Sequence, residues 1–451
     1  MRAREGGPGG APRLAQAVCR GGRGLSGGPR GRAGAFHPGQ DMRILLGVHQ
    51  FFPRYYAGTE RYVLNLARQL SLMGHEVQVL TYDLDRQGQS PGPGGKLFVH
   101  EYTYQGIPVT AFSHPFFPDF NLDLADADLT EEVQGFMERE GFDVYHCAHP
   151  LRIAGSLEAA RRCGLPTVLM LTDYWLLCPR GILRDSEGDL CGGPEGGRRC
   201  LKVCFRHIHE ERLQKRQEQV MHLADQADVI LAPSCFLISV FHGNDCLKGR
   251  ISLSRHGFDY ALLEGLSPRE AGGTLTLGYI GTLEHHKGVH VLLEAFLRVD
   301  APNLRLEIWG GSLHETAYEA RLKRMAIGDG RIRFRGAYAY EDLKKVLHNI
   351  DVVVVPSLWY ENAPLTILSS HAAGIPVIAS SLGGMAESVQ DGVNGMTFPV
   401  GDVKALAERL ERLARKPELV EAFQRALSPP PRLEEEAFRM ERLYRSLRRG
   451  C

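Results

Sequence analysis

From position 42 onward the apolar residues fall into two alternating rhythms, short β-branched runs and longer stripes with helical spacing. The runs at 44–49, 76–81, 142–146, 167–171 and 229–232 predict strands. Between the first two, Val63, Leu66, Ala67, Leu70 and Met73 share one stripe and Gly74 closes it, which predicts a helix over 59–73. The polar, Gly- and Pro-rich segment 90–95 reads as a loop. Between 257 and 273 the rhythm breaks into H-G-F-D-Y and S-P-R-E-A-G-G, a hinge composition. A second alternation follows, with strands at 275–280, 304–309, 332–335, 352–355 and 377–379 and helices at 289–299, 315–326 and 341–347. This is the βαβ rhythm of doubly wound sheets, so the expected class is α/β with two Rossmann-like halves in tandem, 42–265 and 272–428. Beyond S-P-P-P, residues 433–451 carry an amphipathic helix long enough to return to the first half.

Composition narrows the function classes. The 451 residues hold 53 basic and 53 acidic side chains, a balance that argues against a nucleic-acid partner. No window reaches the roughly 20 apolar residues of a membrane span, and no strongly basic amphipathic helix is evident, so at most weak peripheral membrane association is expected. Residues 1–41 are rich in Gly, Arg, Ala and Pro and are expected to be disordered. Met42 heads an ordinary first strand and is the expected true start; a targeting or anionic-surface role for the leader is the alternative.

One acidic residue stands out in position. Glu361 lies between the buried run 351–355 and a helix that Pro364 is suited to open, its fixed φ fitting the first helical position. That helix is expected to end at Gly374. Three turns, 57–59 and 281–288 with their glycines and 361–364, each follow a strand and precede a helix, the arrangement whose free N–H groups bind phosphate. Lys287 adds a full charge at one such helix start, and a diphosphate suits it. A solvated Lys, and a surface ion pair or helix cap at Glu361, are the plain structural alternatives. None of these turns is the G-x-G-x-x-G fingerprint of a dinucleotide fold, and no Walker motif occurs.

Taken together, Y-I-G-T-L-E-H-H-K-G-V, F-R-G-A-Y, P-S-L-W-Y-E-N-A-P-L-T-I-L and the run A-A-G-I-P-V-I-A-S through D-G-V-N-G-M-T-F resemble the donor domain of retaining glycosyltransferase family 4, of GT-B fold. The stretch F-F-P-R-Y-Y-A-G-T-E-R-Y-V-L-N-L-A resembles the acceptor-side domain of that family. The resemblance implies two Rossmann-like domains facing each other across a cleft, a nucleotide-sugar donor, a glycan or lipid-linked acceptor, and a cytoplasmic place that includes the inner face of the membrane. It implies that Lys287 holds the diphosphate, that Glu361 binds the transferred sugar, and that Asn362, Ala363, Pro364, Leu365 and Thr366 meet sugar and phosphate. Gly58 would approach the phosphates, Thr282 would sit in the first donor turn, and Tyr338 would lie beside the nucleobase.

Two positions depart from that pattern: Ser369 stands where the family has a second glutamate for the ribose, and Thr282 where an Arg is common. They keep open a catalytically impaired nucleotide-sugar-binding or scaffold protein; a GT-B nucleotide-sugar epimerase is a further alternative. The family chemistry implies front-face substitution, in which the leaving diphosphate takes the proton of the acceptor and no metal or other cofactor is required.

On the acceptor side, His149 and Asp173 follow strands and are candidates to face substrate; His146 reads equally well as a packed residue. Cys178, Cys191, Cys200 and Cys204 lie in a Gly-rich, loop-like insertion, 178–204, such as occurs in one subgroup of the family. Four thiolates there could close a tetrahedral structural zinc site, against unlinked thiols or disulfides.

Overall fold

The computed structural model describes residues 41–448 except 86–89, 93–94, 267–272 and 313–314. The leader therefore lies outside the described residues apart from Asp41, as do residues 267–272 of the hinge segment. The chain divides into two compact units, one of residues up to His256 together with 433 onward, the other Gly257–Arg432.

Among the described residues the first unit holds nine strands: β1 (Arg43–Val48), β2 (Glu76–Tyr82), β3 (Ser90–Pro91), β4 (Phe98–Tyr104), β5 (Ile107–Ser113), β6 (Val144–Cys147), β7 (Thr167–Met170), β8 (Val229–Ala232) and β9 (Ile251–Leu253). They form one sheet in the order β3-β4-β5-β2-β1-β6-β7-β8-β9. Pairing is parallel from β5 to β9, whereas β4 runs antiparallel to β5. The β4–β5 hairpin is absent from the sequence expectation. Its two-residue turn, Gln105-Gly106, has both residues at positive φ, 46° and 82°, the twist that closes tight hairpins, but a Gln at the first position disguises the usual signal. The segment 90–95 read as a loop supplies the short edge strand β3.

Helix Gly58–Leu72 covers β1 with the expected stripe, burying Val63, Leu66, Ala67 and Leu70 against Ile44, Leu46 and Val48. Helix Leu433–Arg448 adds Ala437, Met440 and Tyr444 to the same core. Polar ties reinforce it: the Tyr444 hydroxyl meets His146 Nδ1 at 2.6 Å, and Glu436 stands 3.3 Å from His256 Nδ1. Burial pushes His146 down to about 3, so it is a neutral packed residue.

The second unit holds β10 (Leu275–Ile280), β11 (Leu304–Trp309), β12 (Ile332–Gly336), β13 (Val352–Val355), β14 (Val377–Ser380) and β15 (Gly395–Phe398), all parallel, in the order β12-β11-β10-β13-β14-β15. Along β13, Val352 and Val354 enter one apolar cluster with Leu292, Phe296 and Leu410. Val353 and Val355 enter another with Val346, Leu347 and Ile367. Both faces of the strand are therefore covered, as its uninterrupted apolar run requires. The fold is α/β with two Rossmann-like units.

Candidate active site

At the carboxyl edge of the second sheet, β13 runs into the loop Pro356–Pro364, and two neighbours pin that loop by backbone. The Leu358 N–H donates to the His286 carbonyl at 2.8 Å, and the Gly384 N–H donates to the Glu361 carbonyl at 2.6 Å. Glycine is needed at both contacts. Gly288 has φ +72°, and a Cβ there would stand 2.0 Å from the Pro356 oxygen; one on Gly384 would stand 1.7 Å from the Asn362 oxygen. The lysine turn and the glutamate turn are thus one rigid body of loop.

Inside it, three donors converge on Glu361 Oε1: Lys287 Nζ at 2.7 Å, Ser357 Oγ at 2.9 Å and Trp359 Nε1 at 2.8 Å. Oε2 receives none among the described residues. The Lys287 ammonium also lies 5.1 Å from the centre of the Trp359 ring, a cation–π contact. Burial works to raise the Glu361 carboxyl, but the Lys287 charge and the three hydrogen bonds outweigh it and hold the group below the ordinary carboxylate range. Glu361 is therefore an ionised acceptor with one oxygen to offer. Nothing in the sequence pattern marked Ser357 or Trp359, because both act only through the fold of the loop.

Two helix starts flank this pair. Helix Val289–Arg298 begins at Gly288, and its Val291 and Leu292 N–H groups already bond the Gly288 carbonyl at 2.9 and 3.4 Å. Helix Leu365–Ala372 starts directly after Pro364, which serves as its N-cap, ψ 115°, rather than its first helical residue, and whose carbonyl accepts from Ile367 and Leu368. The N–H groups of Leu365 and Thr366 precede those first bonds and carry the positive end of the helix dipole. Thr366 Oγ1 donates to the Ile280 carbonyl at 3.1 Å, which fastens this helix to β10. Asn362 is buried, and Ala363 is partly so.

Ser369 is buried and its hydroxyl donates to the Thr366 carbonyl at 3.0 Å, so its hydrogen is spent inside its own helix. Thr282 follows β10, its carbonyl accepting from the Tyr279 hydroxyl at 2.7 Å. Tyr338 follows β12 and sets its ring edge-on to Trp309, 6.3 Å between centres. Gly58 is exposed at the start of its helix, in the first unit.

At the carboxyl edge of the first sheet a second polar group forms where β1, β6 and β7, neighbours in the sheet, release their chains. His149 is 4 % exposed, and its Nδ1 accepts from the Leu151 N–H at 3.2 Å. Its Nε2 therefore carries the proton and donates to Asp173 Oδ2 at 2.8 Å. The His49 ring lies tilted against His149, 4.2 Å between centres, and Glu60, fully buried, accepts from Gln50 Nε2 at 2.6 Å. His149 and Asp173 were each expected on this side; His49, Gln50, Glu60 and Arg152 were not singled out, since His49, Gln50 and Arg152 sit in turns and Glu60 in the first turn of helix Gly58–Leu72.

Cys178, Cys191, Cys200 and Cys204 all line one small cavity, with Arg180, Arg184 and Arg199 around it. Arg216, 2 % exposed, reaches the carbonyls of Asn121, Leu176 and Trp175 and so fixes the chain just before the insertion. Burial raises the Cys200 thiol to about 12, with the other three cysteines adding to the rise. Among the described residues no three His, Cys, Asp or Glu side chains are grouped as metal ligands.

Both units match glycosyltransferase models: a glycosyl transferase 4-like domain over 57–234 and a glycosyl transferases group 1 domain over 274–416. A glycogen synthase of Mycobacterium tuberculosis is 32 % identical over 179 residues, 39 % of this chain and 42 % of that one. The chain thus spans less than half the length of that relative. A D-inositol 3-phosphate glycosyltransferase of Corynebacterium glutamicum is 27 % identical over 376 residues, 79 % of this chain and 83 % of that one. The crystal structure of Anabaena HepE in complex with UDP and glucose superposes with a TM-score of 0.64 at 18 % identity, covering 90 % of this chain and all of that one, a likeness of fold. Both units of the chain belong to the glycosyltransferases of GT-B type.

Proposed function

We propose that the protein is a retaining glycosyltransferase that moves a sugar from a nucleotide-diphosphate donor to a glycan or lipid-linked acceptor. The observation that carries this reading is the meeting of Lys287 and Glu361 between two helix starts. An ammonium and two helix N-termini suit a diphosphate, and the open Glu361 Oε2 beside them suits a sugar hydroxyl. An ionised Glu361 accepts hydrogen bonds and is unfit as a general acid near neutrality. The reaction is therefore read as front-face substitution: the C–O bond to the diphosphate breaks, the acceptor oxygen bonds to the same face, and the departing diphosphate takes the acceptor proton. Lys287 and the helix dipoles stabilise the leaving charge, so no metal is assigned to the step. His149 and Asp173 are assigned to the acceptor side.

The site residues of this reading are Lys287 and Glu361 for chemistry, and Gly58, Thr282, Tyr338, Asn362, Ala363, Pro364, Leu365, Thr366 and Ser369 around the donor. The second reading, a nucleotide-sugar binder without turnover, draws on Ser369, whose hydroxyl is committed to its helix. Donor hydrolysis and transfer over a panel of nucleotide sugars decide between them, with NMR of the product anomer testing retention. Binding without turnover across the panel would overturn the enzyme reading, and an inverted anomer would overturn retention.

For the insertion we propose that the four cysteines hold a structural zinc. Arg216 and three cavity arginines supply the positive charge that four thiolates need, and the segment has little apolar content of its own. Closing such a site needs the thiols to rotate toward the cavity.

A further inference from the structure

Arg152 stands in the turn after β6, before helix Gly155–Arg162, at the same sheet edge as His149 and Asp173. Three observations set it apart. Its φ is +66°, a left-handed backbone that costs a side-chain-bearing residue about 1 kcal/mol or more and persists where the surroundings demand it. It is partly buried, yet only one of its five N–H donors is used, toward Gln50 Oε1 at 2.9 Å. Among the described residues it makes no ion pair, although a partly desolvated guanidinium without a counter-charge is costly.

Two carboxylates belong to this sheet edge, and neither pairs with it. Asp173 is engaged by His149 Nε2 at 2.8 Å. Glu60 is separated from Arg152 by the Gln50 amide, which donates to one and accepts from the other. Burial also pushes the Glu60 carboxyl up, toward its neutral form. In the same group His49 Nδ1 is buried without a partner, a second donor or acceptor left open.

We propose that Arg152, with His49 at its side, is an oxyanion-recognition site that takes a phosphate or carboxylate of the substrate. This rests on the glycosyl-transfer reading for its place in the reaction, but not for its existence. The oxyanion has two sources, an acidic group of the acceptor or the diphosphate of the donor. An acidic acceptor makes this edge a specificity element, since a planar fork binds an oxyanion through two parallel N–H···O bonds that a neutral hydroxyl cannot match.

The test uses the full chain and calorimetric titration with inorganic phosphate, pyrophosphate and UDP. The wild type, Arg152→Gln, Arg152→Lys and Lys287→Ala are compared, with circular dichroism as the control for folding. Phosphate affinity should fall about tenfold or more in Arg152→Gln and in part in Arg152→Lys, while Lys287→Ala reads out separately any phosphate held at the donor turns. Pyrophosphate and UDP binding unchanged in Arg152→Gln assigns the site to the acceptor; a parallel loss assigns it to the donor. Phosphate that binds wild type and Arg152→Gln alike, or binds neither, overturns the proposal. The phosphate arm needs no turnover, so failure of the transferase reading shows instead as absent UDP binding and hydrolysis. Should Arg152→Gln fail to fold, Arg152→Lys alone decides, because it keeps the charge and removes the fork.

Discussion

Lys287 and Glu361, 74 residues apart in the chain, meet at 2.7 Å inside a loop that two glycines hold shut. Each is the condition of the other: the ammonium keeps the buried carboxyl ionised, and the carboxylate supplies the counter-charge for a lysine that is 25 % exposed. A donor whose diphosphate reaches Lys287 would find Glu361 already oriented by Ser357 and Trp359.

Glu361→Ala should lower transfer by on the order of a hundredfold or more while the fold persists. Thermal unfolding should show a loss of about 1–3 kcal/mol, the penalty of leaving Lys287 without its partner. Glu361→Gln, which keeps the shape, should recover stability without recovering turnover. Steady-state rates near wild type in the Ala variant would refute the assignment.

Gly288→Ala tests the loop. The new Cβ meets the Pro356 carbonyl in a left-handed backbone, so the second unit should lose about 2 kcal/mol or more, and donor affinity should fall with it. Unchanged denaturant midpoints would show that the two turns are not packed as described.

Stability should depend on pH through His146. Its folded value, about 3, lies below the ordinary 6.5, so the unfolded chain binds the extra proton in between. Its contribution is whole above pH 6.5 and is lost as pH falls, at no more than about 1.4 kcal/mol per pH unit. His146→Gln should flatten the stability curve between pH 6.5 and 5 relative to wild type; parallel curves would contradict this.

Ending the chain at Arg432 removes Ala437, Met440 and Tyr444 from the first core and strands His146 and His256. Several kcal/mol of apolar burial go with them, a large share of the stability of one domain. Limited proteolysis should cut the first unit of the truncated protein and spare the second; equal resistance would show the helix to be dispensable.

Exhaustively dialysed protein should retain about one zinc per chain, and chelation at low pH should loosen 178–204 to proteolysis. Zinc well below one equivalent by elemental analysis removes the proposal.

The apolar rhythm by itself determined the two α/β halves and most strand positions, because a strand covered on both faces must be apolar throughout, as Val352–Val355 is. It also placed Lys287 and Glu361 at strand-to-helix turns, where backbone N–H groups are free. What it could not determine were relations between segments. That Glu361 takes three donors on one oxygen, that Gly288 packs on Pro356, and that Tyr444 reaches His146 across 298 residues depend on which chains the sheets bring together. Arg152 carries no motif at all. Its role follows from a left-handed turn and an absent counter-charge, both properties of the folded surroundings rather than of the residue, so only the tertiary structure could show them.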